Sequence, residues 1–490
     1  MSKINQKIER ATFWASLTQI IAKFISPLTN MILARILAPE IFGVVATVTM
    51  VSSFTIMIAE AGFQKFLIQR PFISIDERNI FATVAFWSNL FLSFFLWIII
   101  IIFNQKIAAL IGSPGLGIVI IIACAALPLT AFTSIQIALY NKEFDFKALF
   151  LIRLVGVLLP FIVTIPLAYI YRSYWALIIG NLAGHICNVI ILALKSKWRP
   201  SIYYDFKILK KMISFSVWTI LERVTEWLNH YIGVFFIGYF LTEYFVGIYQ
   251  ISMITANSII AIVTAAIIPV LYTSLSALQA DEKKFQSTLY SFQRYTSYLI
   301  IPMGVGIFLY RDLVTTVLLG DSWESAQNFI GLWALVSTVR LIFTNYLYEA
   351  YRALAMPKLN VFVQALQIII LIPIFIIGVQ YEFRVLYIMR SASVLPIIVI
   401  NVVISKYVIN LSPAKMTSSI LPAVISALIM CFPAVYFQMI NTHFIWNMIS
   451  IFLCIIIYFL SLITLFPSCR SELKKIKEKF QLNFKRPKKV

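Results

Sequence analysis

The chain has 490 residues, of which 61% are hydrophobic and 12% charged, with a mean hydropathy of +0.90. An ordinary soluble domain is about half apolar and about a quarter charged, so this composition excludes a soluble globular protein and points to one that crosses a membrane repeatedly. A formal net charge of +20 would suggest nucleic acid as the partner of a soluble chain; here the placement of the charges has to decide.

A helix that crosses the hydrocarbon needs about 20 mostly apolar residues. Fourteen stretches meet this in chain order: 13–35, 41–62, 80–103, 116–139, 148–170, 173–194, 212–240, 247–273, 295–311, 327–352, 359–380, 385–405, 417–440 and 444–466. No alternating ten-residue strands separated by turns occur, and backbone groups in lipid must be satisfied within the segment. The predicted fold class is all-α: a polytopic membrane protein of about 14 transmembrane helices. Basic residues precede the first stretch, as in a signal peptide, but that stretch contains Lys23 and no A-x-A-like site follows, so it reads as a retained first helix. The five cysteines, Cys124, Cys187, Cys431, Cys454 and Cys469, form no CxxC pair, and neither a disulfide framework nor a zinc site is implied.

Lys and Arg concentrate in alternate connections and in the tail from Arg470 to Lys489, while the opposite connections hold only Arg35, Lys106, Arg172, Arg311 and Arg384. By the positive-inside rule both termini are cytoplasmic. The excess charge is thus a topology signal, with attraction to anionic membrane lipid and no nucleic-acid partner.

The basic stretch KSKWRPSIYYDFKILKK, 195–211, divides the chain. The predicted layout is a six-helix lobe at 1–194, this cytoplasmic linker, a second six-helix lobe at 212–410, an extra helix pair at 411–466 and a basic tail at 467–490. Shifting the chain by 204 residues places Trp14 on Trp218, Leu37 on Leu241 and Gly43 on Gly247, so the turn ILAPEIFG is matched by FLTEYFVG. An even number of helices separates the copies. They would run in the same direction, one of the repeat arrangements found in transporters, with substrate expected between the halves near the midplane.

The first and seventh stretches carry polar stripes. Ser16, Gln19, Lys23, Ser26 and Asn30 recur at helical spacing on the first. Thr219, Glu222, Arg223, Glu226, Asn229 and His230 share a face of the seventh, Arg340 lies midway along the tenth, and Arg390 enters the twelfth from the outer side. A charge at the centre of a membrane helix costs roughly 2.5–3.5 kcal/mol, so such groups face a bundle interior or water, paired or in function. Glu222 or Glu226 could simply neutralise Arg223 and Lys23 and hold the lobes together. Yet the cations Lys23, Arg223, Arg340 and Arg390 outnumber those two acids, and surplus positive charge in a wet cavity suits an anionic cargo, which Arg grips bidentately. His230 reads as a proton relay or, more simply, as a hydrogen-bonded helix contact.

ILAPEIFGVVATVTMVSSF…AEAGFQKFLIQR, followed by IGYFLTEYFVGIYQ (237–250), IIPVLYTSLSALQAD (267–281), IPMGVGIFLY (301–310) and VLLGDSWESA (317–326), resembles the polysaccharide transporter family over roughly residues 10 to 410. These are the Wzx-like O-antigen and colanic-acid type lipid-linked oligosaccharide flippases of the multidrug/oligosaccharidyl-lipid/polysaccharide superfamily. The resemblance implies two six-helix lobes around a central cavity and alternating access. Its implied cargo is an undecaprenyl-pyrophosphate-linked oligosaccharide moved to the outer leaflet of the bacterial inner membrane, with polymerase and chain-length proteins of a polysaccharide assembly system as partners. One departure stands out: where the family commonly has an acid four or five residues before the Ile-Gly of the seventh helix, this chain has Gly233. No cofactor is implied, and coupling to a proton or sodium gradient is left open.

On this reading Lys23, Arg223, Arg340 and Arg390 attract the pyrophosphate, while Gln19, Asn30, Glu222, Glu226, Asn229 and His230 line the sugar path. A drug/cation antiporter of the same superfamily would favour an acidic cavity. An assembly scaffold is a further rival. A membrane enzyme would need a catalytic constellation at the outer face, where the connection 311–326 offers Asp312, Asp321 and Glu324 with no His; the chain reads as a non-enzyme.

Overall fold

The structure is a computed structural model that describes residues 3–60, 62–467 and 470. In chain order the helices are α1 (Lys3–Ile36), α2 (Pro39–Glu60), α3 (Phe63–Gln69), α4 (Ile75–Leu110), α5 (Gly117–Cys124), α6 (Ala126–Lys142), α7 (Phe146–Tyr171), α8 (Trp175–Lys195), α9 (Phe206–Phe240), α10 (Glu243–Ala277), α11 (Glu282–Leu309), α12 (Arg311–Leu318), α13 (Gln327–Arg340), α14 (Tyr346–Ala353), α15 (Pro357–Gly378), α16 (Phe383–Ala392), α17 (Val394–Ile409), α18 (Pro413–Ile440) and α19 (Phe444–Leu465). A 3₁₀ turn, Asp321–Ala326, precedes α13, and a π-helical turn, Leu341–Asn345, joins α13 to α14. No strand occurs among the described residues, and the fold is all-α.

Among the described residues, eleven helical spans are long and apolar enough to cross a membrane, or twelve if α11 and α12, bent by 86° at their junction, count as one. The difference from the fourteen stretches of the sequence lies in α1 and α9. Each has the length, at 34 and 35 residues, but the charged stripe that marks it out also lowers its apolar character. The basic tail from 471 onward and Cys469 lie outside the described residues.

Several helices begin on side-chain caps. Ser74, Asp145, Asp205, Asp281 and Ser412 accept hydrogen bonds from the backbone N–H of Glu77, Ala148, Lys207, Lys284 and Lys415, satisfying donors that the first turn leaves open. At Asp281, which lies outside the spans, the Lys284 N–H and ammonium hold the carboxyl below its ordinary range.

Contacts group the chain into two compact units, Met1–Ser258 with Leu318–Ala326 and Val361–Ser393, and Ile259–Val317 with Gln327–Asn360 and Val394–Val490. In the first unit α7 and α8 approach closely because Gly180 lies against Thr164 and Gly184 against Pro160, the small-residue packing that membrane helices use where apolar burial supplies little drive. An aromatic core of Phe63, Phe66, Phe81, Phe86 and Trp198 gathers α3, α4 and α6.

The two matched turns meet within this unit. A Cβ placed on Gly43 would collide with the carbonyl oxygen of Glu243, and one on Gly247 with the carbonyl oxygen of Pro39. The 204-residue shift maps each of these contacts onto the other, so α2 and α10 cross near their first turns in a two-fold related way. Gly112, held at φ +77°, packs likewise against the Gly238 carbonyl at the same end.

In the second unit α11 packs on α13 and α18. The carbonyl of Ile342, within the π turn, accepts a hydrogen bond from Gln293 Nε2 at 3.0 Å. Thr296 and Tyr346 bond through their hydroxyls at 2.5 Å, and Tyr458 donates to the Tyr298 carbonyl at 3.0 Å.

If the glycine contacts set the crossing, overpacking should be costly there and harmless at a glycine that stands in open space. Gly43→Leu and Gly247→Leu are expected to destabilise by about 1–3 kcal/mol or more. Gly306→Ala, with open space around it, should stabilise by up to about 1 kcal/mol. Thermal unfolding of the purified proteins separates the two outcomes.

Candidate functional site

The charged face of α9 is partnered, but not as the sequence suggested. Arg223 pairs with Glu60 at 2.5 Å, their side chains being 28% and 20% exposed, and Glu222 pairs with Lys65 at 3.3 Å. The acids that could have neutralised Arg223 from its own helix do not: Glu222 turns to α3, and Glu226 is exposed. The reason is the length of α9. At about 1.5 Å per residue, Arg223 lies about 26 Å from the turn at the end of α9, far beyond the midplane of a 30 Å core. That depth places it level with the C-terminus of α2, where Glu60 sits. Arg223 is therefore a half-buried member of a two-pair cluster rather than a spare mid-membrane charge.

Further along α9, Asn229 donates to the carbonyls of Thr225 and Gln364, both at 3.0 Å, and Trp227 donates to Ser53 Oγ at 3.1 Å. His230 is exposed, its ring set edge-on to Tyr231.

Lys23 and Asn30 are half-buried on α1, and Lys23 has no acidic partner among the described residues. The side chain of Gln19 lies outside those described. Arg340 ends α13 and immediately precedes the π turn, a helix irregularity often found at functional positions; it belongs to the second unit.

Arg390, on α16, is 2% exposed. Its Nε donates to the Tyr249 hydroxyl at 3.3 Å and its Nη1 to Ser393 Oγ at 3.2 Å. It is thus a buried, hydroxyl-bonded cation in a packed interior. Lys23 and Arg390 lie about 20 and about 10 Å from the turn end by helical rise, so Lys23, Arg223 and Arg390 stand at different depths along their helices.

The departure at Gly233 has a physical counterpart. A Cβ at this position would strike the Tyr249 hydroxyl and come within 2.8 Å of the Phe375 ring, and Phe375 also stacks on Phe236. The volume an acidic side chain would need is filled by Tyr249, the residue that bonds Arg390.

Sequence reasoning missed Trp323. The sequence offers the connection 311–326 as a place for catalytic groups and as part of the family resemblance, yet Leu318–Ala326 packs with the first unit. Trp323 is fully buried; its indole N–H donates to the Ala34 carbonyl at 2.8 Å and its ring sits edge-on to Phe42. Tyr244 and Ser325 bond through their hydroxyls at 2.8 Å. The strap fastens the same turns that the two glycines bring together. A tryptophan inside the polar run DSWESA was the available signal.

Two tests follow. Glu60→Gln should destabilise by about 1–3 kcal/mol because it leaves Arg223 half-buried without its partner, and the exchange Glu60→Arg with Arg223→Glu should recover most of the loss in thermal unfolding. Gly233→Asp should be poorly tolerated alone and rescued by Tyr249→Ala, which vacates the space and leaves Arg390 to meet the new carboxylate; Tyr249→Phe should not rescue.

The polysaccharide biosynthesis protein family matches residues 32–328. The chain is 25% identical over 374 residues to an uncharacterized membrane protein in the cps region of Klebsiella pneumoniae, covering 75% of this chain and 76% of that one. It is 23% identical over 335 residues to the succinoglycan biosynthesis transport protein ExoT of Rhizobium meliloti, covering 68% and 67%. Among solved structures it is similar to the lipid II flippase MurJ in an inward closed conformation, with a TM-score of 0.71 at 16% identity over 92% of this chain and 97% of that one. It is also similar to an inward-facing multidrug resistance MATE family transporter of the MOP superfamily, at 0.61 and 15% over 81% and 98%. With the fold shared by both and more than half its length matched, the chain belongs to the polysaccharide biosynthesis protein family, a family of membrane transporters and not of enzymes.

Proposed function

We propose that the chain is a flippase that moves undecaprenyl-pyrophosphate-linked oligosaccharide repeat units from the cytoplasmic to the outer leaflet of the bacterial inner membrane, by alternating access, for surface polysaccharide synthesis. Both termini are cytoplasmic on this reading, by the distribution of Lys and Arg.

The observation that carries it is an apolar groove of about 360 Å³ in the second unit, between α11 and α19. Leu299, Met303, Ile307, Ile451, Ile455 and Phe459 line it together with tyrosine rings. Those rings contribute faces rather than polar tips, since the Tyr458 hydroxyl donates to the Tyr298 carbonyl and the Tyr310 hydroxyl bonds Ser450. Such a groove suits a long hydrocarbon chain and gives the extra helix pair a role. None of its lining residues is acidic, so it offers no counter-charge to a cationic drug.

Lys23 supports the anionic end of the cargo. It is half-buried and keeps no acidic partner among the described residues, whereas Arg223 holds Glu60 and Arg390 is bonded by Tyr249 and Ser393. In the mechanism Lys23 receives the pyrophosphate first. Arg223 takes part by exchanging Glu60 for phosphate, and Arg390 biases the electrostatic path. Asn30, Asn229 and Glu226 offer hydrogen bonds to sugar hydroxyls. The strap with Trp323 and the paired glycines form the seal that has to part for release.

The test is reconstitution of the purified protein in vesicles with a defined lipid-linked oligosaccharide. Lys23→Glu should slow translocation at least about 10-fold, the scale of a lost charge-assisted bond, with an unchanged unfolding temperature. Met303→Trp, which fills the groove, should also slow it. Full activity in both variants, or transport of organic cations in place of the lipid, would overturn the reading.

A further inference from the structure

The second half of α9 has neighbours on two opposite sides. Trp227 donates to Ser53 Oγ on α2 at 3.1 Å and packs its ring on Phe54, while Asn229 donates to the Gln364 carbonyl on α15 at 3.0 Å. At 3.6 residues per turn these two contacts stand about 200° apart around the helix, and they leave two sectors between them. One sector is apolar: Leu228 and Phe235 fall on it together with Leu221 and Tyr239, which are exposed. The other carries Glu226 and His230, both exposed.

By helical rise His230 lies about 15 Å and Glu226 about 21 Å from the turn that follows α9, so the histidine stands at the middle of a hydrocarbon core of about 30 Å. Lipid takes the apolar sector at that depth, because ionisable side chains are costly in hydrocarbon. Glu226 and His230 therefore face water. Their sector ends one turn later, where the Tyr249 hydroxyl and the Phe375 ring fill the space at Gly233. His230 thus sits at the closed end of a water-facing cleft between α2, α10 and α15.

Glu226 is the charge that shares this face with His230, one turn away, and it supplies the countercharge for an imidazolium there. Arg223, three residues before Glu226, is engaged by Glu60 at the end of α2. Glu40 and Glu243 sit at the matched turns, about 15 Å from the level of His230, and Arg384 begins α16. The part of α15 in this unit carries no charged residue, and α3 and α4 gather on the first half of α9 around Met212. Arg390 reaches this level through the Tyr249 hydroxyl, to which its Nε donates, and Tyr231 meets the imidazole edge-on.

We propose that His230, with Glu226 as its countercharge, is a proton-binding site that couples transport to a proton gradient. The proton comes from water on one side, forms an N–H bond with the free imidazole nitrogen, and returns to water on the other side when the cleft changes access; no other bond forms or breaks. What is transported rests on the flippase reading, whereas proton binding by His230 does not.

The first arm of the test uses no cargo. The chain has three histidines, His185, His230 and His443, and His230→Gln identifies the His230 resonance in histidine-labelled full-length protein in nanodiscs. That resonance should titrate between about pH 5 and 8. Glu226→Gln should displace its midpoint by about one pH unit, while Glu382→Gln, away from α9, leaves it in place. The second arm uses vesicles with a defined lipid-linked oligosaccharide. Wild-type rates should differ at least about 10-fold between inward and outward gradients of one pH unit; His230→Gln should lose this difference, and His443→Gln should keep it. A His230 resonance that does not titrate, a midpoint unmoved by Glu226→Gln, wild-type rates equal under both gradients, or a His230→Gln variant as gradient-dependent as the wild type would overturn the proposal. A titrating His230 in a protein that moves no lipid-linked oligosaccharide would support the proton site and overturn the flippase reading instead.

Discussion

The close crossing of α2 and α10 is the constraint on which the first unit depends. Two helix starts can approach until each backbone touches the other's carbonyl only where no side chain intervenes, and Gly43 and Gly247 supply that absence reciprocally. Everything nearby is arranged around the approach. Phe42 accepts the edge of Trp323, the strap bonds Ala34 and Tyr244, and Gly112 meets Gly238 at the same level. The direction in which α1 and α9 leave these turns then decides how deep their charged residues lie.

Much of this was legible in the sequence, for identifiable reasons. Runs of about 20 apolar residues must be helices in lipid, and each of the fourteen falls on a helix or a consecutive pair. The echo at 204 residues identified Gly43 and Gly247 because glycine at a forced approach has no substitute. The partners of the charges were not legible. Arg223 belongs to a face that continues past the membrane core, and only the full length of α9 shows that its neighbour is Glu60, 163 residues away in the chain. Trp323 escaped notice because the loop around it reads as solvated, and burial by a distant turn leaves no local pattern.

The electrostatics of the first unit now divide by role. Arg223, Glu60, Lys65 and Glu222 form a nearly neutral cluster towards one end, where pairing offsets the cost of partial burial. Arg390 is held by the hydroxyls of Tyr249 and Ser393. Lys23 alone among these cations combines half-burial with no acidic partner among the described residues. Pairing with Glu60 thus takes up part of the positive charge that the sequence shows on these helices.

The π turn at Leu341–Asn345 carries a different consequence. One additional residue in a helical turn rotates everything that follows by about 100° relative to an unbroken helix. Tyr346 and Tyr351 beyond it are fully buried, the latter donating to the Asn401 carbonyl at 3.3 Å, while Arg340 before it keeps its own orientation. The turn acts as a phase shifter, letting one continuous span present an arginine on one azimuth and a tyrosine core on another, and the two halves of that span can be tuned independently.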